Sequence, residues 1–203
     1  MTLFKDKYRI ESVRLQGYDY SQPGAYFITI VTHNRQCLFG NIVDGEMMWN
    51  EFGELVKNEW LKTGIIRPNI VIDAFVVMPN HLHGILIITG NDDGRGFRGG
   101  GGRDTLQRVS TTKSDMESDT GMGTKTIEQF GKPTKNSIPT IVRLFKSTTT
   151  KQINQLRQTP MRPLWQHNYH EHIIRDNNEL TRIRQYIINN PKRWKEDNLN
   201  KFL

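Results

Sequence analysis

Two apolar runs, 70–78 and 81–89, flank Pro79-Asn80, and they constrain the fold more than any other stretch. Each is rich in β-branched residues, and a two-residue break leaves them little choice but to pair as an antiparallel hairpin. The second run opens on His81-Leu82-His83. Strand side chains alternate between faces, so both imidazoles leave one face together while Leu82 enters the core. Two adjacent imidazoles are half of a divalent-metal site. A pair of solvent-facing strand histidines is the other reading that the spacing allows.

The surrounding elements follow from periodicity. Residues 25–32 (AYFITIVT) alternate and predict a strand, led in by the turn-rich Tyr18 to Gly24. Residues 51–63 place Phe52, Leu55, Val56 and Trp60 at helical spacing behind Asn50, a candidate cap. Ile141, Leu144, Phe145, Ile153 and Leu156 predict a second helix, which carries Arg143, Lys146 and Lys151 on its other side. A strand is expected within 165–175, then a helix over 178–190 stopped by Pro191. Strand, helix, strand, strand, helix, strand is the α+β, ferredoxin-like order, an antiparallel sheet with helices on one face.

Between the hairpin and the second helix the composition changes. Residues 90–136 hold a glycine cluster at 99–102, many Ser and Thr, and almost no large apolar side chains. Such a stretch cannot bury enough surface to offset its ordering entropy. One domain over residues 1–203, interrupted by a flexible Gly-rich insertion at about 90–136, is the expected organisation.

The chain has 203 residues and a net charge of +7, and the location of that charge is informative. Residues 137–203 hold 12 Lys/Arg against 5 Asp/Glu, so the last third carries the whole excess. A localised excess of this sign suits a polyanion partner. A single cysteine, Cys37, excludes an intramolecular disulfide, fits a reducing compartment and reads as inert packing. The first residues lead into no apolar signal-type segment and no run could span a bilayer, so a cytoplasmic location is expected.

On the last helix Tyr186 and Asn190 are i and i+4 and share a face. If that face opposes the histidine strand, two imidazoles, an amide oxygen and a phenol meet. No carboxylate belongs to this set, and the neutral N/O ligands leave positions open for water and phosphate oxygens. Mg²⁺ held jointly with phosphate, or Mn²⁺, would fit. Asn190 stands equally as a helix C-cap before Pro191.

The runs Arg14-Leu15-Gln16-Gly17-Tyr18-Asp19-Tyr20, Phe75 to Gly84 (FVVMPNHLHG) and Tyr186-Ile187-Ile188-Asn189-Asn190-Pro191 resemble those of single-tyrosine HUH transposases, and within them the REP-associated tyrosine transposases. The resemblance covers about residues 10–90 and 137–195 and skips the insertion. It implies that His81 and His83 are metal ligands, Asn190 the third ligand and Tyr186 the nucleophile. The implied reaction cleaves single-stranded DNA near a hairpin, through a 5′-phosphotyrosine and a free 3′-OH that can reverse the attack.

With that partner, Arg143, Lys146, Lys151, Arg182 and Arg184 are candidates for phosphate contact, and Trp165 and Tyr169 for base stacking. His170 and His172 are candidates for proton transfer or structural roles. A homodimer with the tyrosine acting in trans and a monomer acting in cis both fit. Two further classes remain open at this stage. One is a domesticated hairpin-DNA-binding protein without cleavage. The other is a replication or conjugation initiator nickase.

Overall fold

The structure is a computed structural model and describes residues 18–90 and 134–200. The expected insertion therefore lies outside the described residues except at its two ends, as do Arg14 to Gly17. Among the described residues six strands and three helices run in the order β1 (Gly24–Val31), β2 (Gly40–Val43), β3 (Glu46–Trp49), α1 (Glu51–Ile65), β4 (Ile70–Met78), β5 (His81–Ile88), α2 (Ile138–Leu156), β6 (His170–Ile174) and α3 (Asn177–Asn189). Short 3-10 turns cover His33–Arg35 and Pro191–Glu196.

Four strands form one antiparallel sheet in the order β4-β5-β1-β6. The hairpin over Pro79-Asn80 is present, with Met78 opposite His81. β2 and β3 form a separate hairpin that the sequence reading did not include. Its turn is Asp44-Gly45, both with positive φ, the chemistry a two-residue hairpin turn needs.

Each helix begins where a cap is available. Asn50 accepts from Gly53 N–H, Ser137 from Thr140 N–H, and Asp176 from Glu179 N–H. α1 and α2 cover one sheet face, where Tyr26, Ile28, Ile30, Leu82 and Leu86 meet Val56, Trp60, Ile141 and Phe145. Trp60 approaches the sheet so closely at Gly84 that a Cβ there would lie 2.6 Å from its ring. α3 covers part of the opposite face, where Ile183 and Ile187 pack with Ala25, Ile85 and Ile174. The helices of the β-α-β-β-α-β unit thus share one face as expected, and the additional helix takes the other.

Three expectations need correction. Trp165 is core: it is 5 % exposed, packs between Phe39 and Phe145, and donates from Nε1 to Thr149 Oγ1 at 2.9 Å. It has no face to offer a base. The strand in that region is confined to β6, Trp165 making an isolated bridge to Thr32. Cys37 is exposed, not packed.

The ends of the 91–133 segment converge. Gly90 lies against Pro23, and Ile138 N–H donates to Tyr20 O. No helix among the described residues is long and apolar enough to cross a membrane.

Candidate metal centre and tyrosine

β5 alternates as its sequence demands, so Leu82 and Leu86 enter the α1/α2 core while His81 and His83 point to the other face. The two rings stand 4.5 Å apart, and both are buried. His81 Nδ1 is 2.7 Å from Asn80 Oδ1, an acceptor, so Nδ1 donates and Nε2 carries the lone pair. Asn80 is itself held, its amide nitrogen donating to Arg35 O and Leu199 O. His83 Nδ1 lies 2.8 Å from Thr29 Oγ1, and its Nε2 3.1 Å from the Tyr186 hydroxyl. Both rings thus anchor Nδ1 on an oxygen behind them and turn Nε2 into the site, the outer-shell support typical of metal-binding histidines. Burial pushes His81 down to about 3. It pushes His83 well below its ordinary range, with His81 alongside as the next cause. Both imidazoles are therefore held neutral, the form that binds a metal.

α3 brings the tyrosine. With Ile183 and Ile187 buried on the sheet, Tyr186 projects at the rim of the histidine pair, its ring 5.2 Å from His83 and edge-on to Phe27 at 6.1 Å. The phenol and His83 Nε2 are hydrogen-bonded to each other. Burial raises its pKa, the charge of Asp197 adds to the rise, and the Asn190 amide and Arg193 pull it back.

Asn190 keeps helical backbone angles despite Pro191 and closes the helix through its own N–H to Ile187 O. Its side chain is buried, and Oδ1 has no hydrogen-bond partner. The backbone role of a C-cap and an inward-facing amide oxygen coexist in this one residue.

Asp197 was not legible in the sequence, and it corrects the expectation of a carboxylate-free site. It caps the 3-10 turn Pro191–Glu196, and its Oδ1 accepts from Leu199 N–H at 2.7 Å. Oδ2 faces His81 Nε2 at 3.7 Å. One ligand atom each from His81, His83 and Asp197 lies within 4.8 Å of the others. Three buried acceptors in this place, His81 Nε2, Asn190 Oδ1 and Asp197 Oδ2, have no hydrogen-bond partner. Lone pairs facing one another in a dry site are costly unless a cation takes them. Ligands about 2.1 Å from one ion stand roughly 3–4 Å apart, which matches the His81–Asp197 separation. The donor set fits a divalent cation.

His170 stands opposite Thr29 on β6, on the face that carries the histidines; the other residues singled out in the sequence have different surroundings. His172 pairs with Glu179 at 2.8 Å, at the first turn of α3, two turns from Tyr186. The Arg175 N–H and His172 hold the Glu179 carboxyl below its ordinary range. Arg184 forms a two-pronged pair with Asp73, at 2.7 and 3.1 Å, that ties α3 to β4. Lys146 donates to Gln166 O and His167 O, and burial lowers its amine to about 8. Arg184 and Lys146 therefore already spend their charge inside the protein. Arg143 and Lys151 are exposed on α2, across the sheet from the histidines. Arg182 is exposed beside Glu179 at 3.5 Å.

The chain is 36% identical over 188 residues to an uncharacterized protein of Haemophilus influenzae, an overlap spanning 93% of this chain and 91% of that one. No family model matches the sequence. Among solved structures, a REP-associated tyrosine transposase bound to a REP hairpin superposes with a TM-score of 0.52 and 17% identity, over 91% of this chain and 74% of that one.

Proposed function

We propose that this chain, which belongs to one family with the Haemophilus influenzae protein and shares the fold of the hairpin-bound tyrosine transposase, is a single-tyrosine HUH strand transferase acting on single-stranded DNA near hairpins. The observation that carries the reading is the Tyr186 hydroxyl 3.1 Å from His83 Nε2, beside a buried cluster of unpartnered lone pairs. A nucleophile, two neutral imidazoles, an amide oxygen and a carboxylate converge, and Asn190 Oδ1 and Asp197 Oδ2 have no hydrogen-bond partner there.

His81, His83, Asn190 and Asp197 are the residues that would hold Mg²⁺ or Mn²⁺. Such an ion would supply charge against the phosphoryl oxygens and favour in-line attack. The phenol oxygen of Tyr186 forms the new bond to phosphorus, and the 3′-oxygen of the neighbouring nucleotide leaves and takes up a proton. The 5′-phosphotyrosine keeps the bond energy, so a 3′-OH can reverse the step and reseal a strand. The contact of Tyr186 with His83 of its own chain supports a tyrosine that acts in cis. The 1–203 chain works as one domain.

A labelled single-stranded hairpin oligonucleotide, drawn from sequence flanking the gene and incubated with Mg²⁺ or Mn²⁺, tests this. A covalent adduct is expected on denaturing gels, lost with EDTA and in Tyr186→Phe. Tight hairpin binding with no adduct across several flanking substrates and both metals would overturn it in favour of a binding protein that does not cut.

A further inference from the structure

Of the cations expected to meet DNA, Lys146 and Arg184 are committed internally, Arg143 and Lys151 lie across the sheet, and Arg182 stands exposed one turn before Tyr186 on α3 beside Glu179. The 3-10 turn Pro191–Glu196 has a different placement. It starts directly after Asn190, and Arg193 N–H donates to Asn190 O at 3.1 Å. The Trp194 ring stands 6.0 Å from His81, and Asp197, at the end of the turn, faces the same imidazole. The turn thus forms part of the rim of the site.

Three cations sit on it. The Arg193 side chain is 68% exposed, and its one ion pair is a 3.5 Å contact with Glu196, itself 74% exposed. Exposed pairs of this kind are easily exchanged for a stronger partner. The Lys192 stem lies against Gly45 of the β2–β3 hairpin, where an added Cβ would come within 3.3 Å of Cγ. Its backbone course is thereby fixed while the residue as a whole stays exposed. Lys195, also exposed, follows three residues later. On a 3-10 turn i and i+3 eclipse, so Lys192 and Lys195 share a side about 6 Å apart along the axis, and Arg193 projects differently. Neither lysine forms an ion pair with a described residue.

Resting on the strand-transferase reading, we infer that Arg193 grips the DNA phosphate beside the scissile one, with Lys192 and Lys195 holding the backbone that leads into the site. A guanidinium fork suits a phosphate in two-pronged geometry, whereas the lysines act as point charges. Arg193 is therefore a positioning residue with a geometric demand, and the lysines have none.

The test pairs equilibrium binding of a fluorescent single-stranded hairpin oligonucleotide, measured against NaCl, with single-turnover adduct formation. Arg193→Gln is expected to lower the slope of log K against log salt by about 0.7–1 and to slow adduct formation at least tenfold. Arg193→Lys restores the slope but not the rate, a split that a merely structural role would not produce. Lys192→Gln with Lys195→Gln lowers the slope by about twice as much with a smaller effect on rate. Unchanged slope and rate in Arg193→Gln, with unchanged melting temperature, overturn the proposal. So does a loss of slope confined to Lys151→Gln, which would return the grip to α2. If wild type binds with the expected slopes but forms no adduct, the cleavage reading fails and the grip stands; if wild type does not bind single strands, both fail.

Discussion

The two faces of the β4-β5-β1-β6 sheet are built from the same strands and do different work. On the α1/α2 face every second residue of β1 from Tyr26 onward, and of β5, is large and apolar, or is Gly84 making room for Trp60. On the other face the apolar pattern lasts only as far as α3 reaches; beyond it stand Thr29, His81 and His83. Both regions are dry. One is dry because hydrocarbon fills it, the other because polar groups are walled in without enough partners. Burial alone therefore says little about whether a region serves stability or chemistry, while the number of unpartnered lone pairs discriminates sharply.

Substitutions can break this contrast. The largest effect belongs to the sealed face: Trp60→Ala should cost about 3–5 kcal/mol, read by urea denaturation with and without Mn²⁺. Gly84→Ala forces a methyl group against the same ring and should cost about 1–3 kcal/mol, seen as a lower melting temperature. On the site face stability and function should separate. Asp197→Asn removes the only carboxylate of the cluster and should weaken Mn²⁺ binding roughly tenfold or more, about 1.4 kcal/mol, with the metal-free melting temperature little changed; calorimetric titration settles it. Thr29→Val, which strips the oxygen behind His83, should cost 10-fold or somewhat more in metal affinity.

A different lever is pH, acting on the metal-free protein. Both histidines are held neutral when folded, His81 with a pKa of about 3. In the unfolded chain they would take up protons below about 6.5. Between about 6.5 and 3 the unfolded state binds more protons, so stability present above pH 6.5 is lost as pH falls through that window. Replacing both with Gln should flatten that slope in denaturant titrations run in EDTA. An unaltered slope would mean that other groups set it.

What the sequence made legible was local. The hairpin around Pro79-Asn80, the Asn50 cap and the shared face of Tyr186 and Asn190 are all written within about one turn or one strand pair. The β2–β3 hairpin carried a readable Asp44-Gly45 signal, but its four-residue strands are too short for periodicity to register. Asp197 escaped because it reaches His81 only after the chain has passed a proline and a 3-10 turn, and neither spacing nor pattern links the two positions. Lys146 and Arg184 were visible as charges, but their partners, two backbone carbonyls and Asp73, are made by tertiary contact. Trp165 shows the same limit: an isolated aromatic reads alike whether it stacks a base or fills a core.

One further consequence concerns the chain's capacity to vary. β5 carries the histidines at its start and ends at Ile88, roughly 23 Å of strand away at about 3.3 Å per residue. Just past that far end the 91–133 segment departs at Gly90, against Pro23, and the chain resumes in α2 with Ile138 bonded to Tyr20. Both flanks thus meet the short run 20–23, at the end of the sheet away from the histidines. A lineage can lengthen, shorten or exchange that segment as cargo on a fixed mount, while the chemistry at the opposite end of the strand is inherited unchanged.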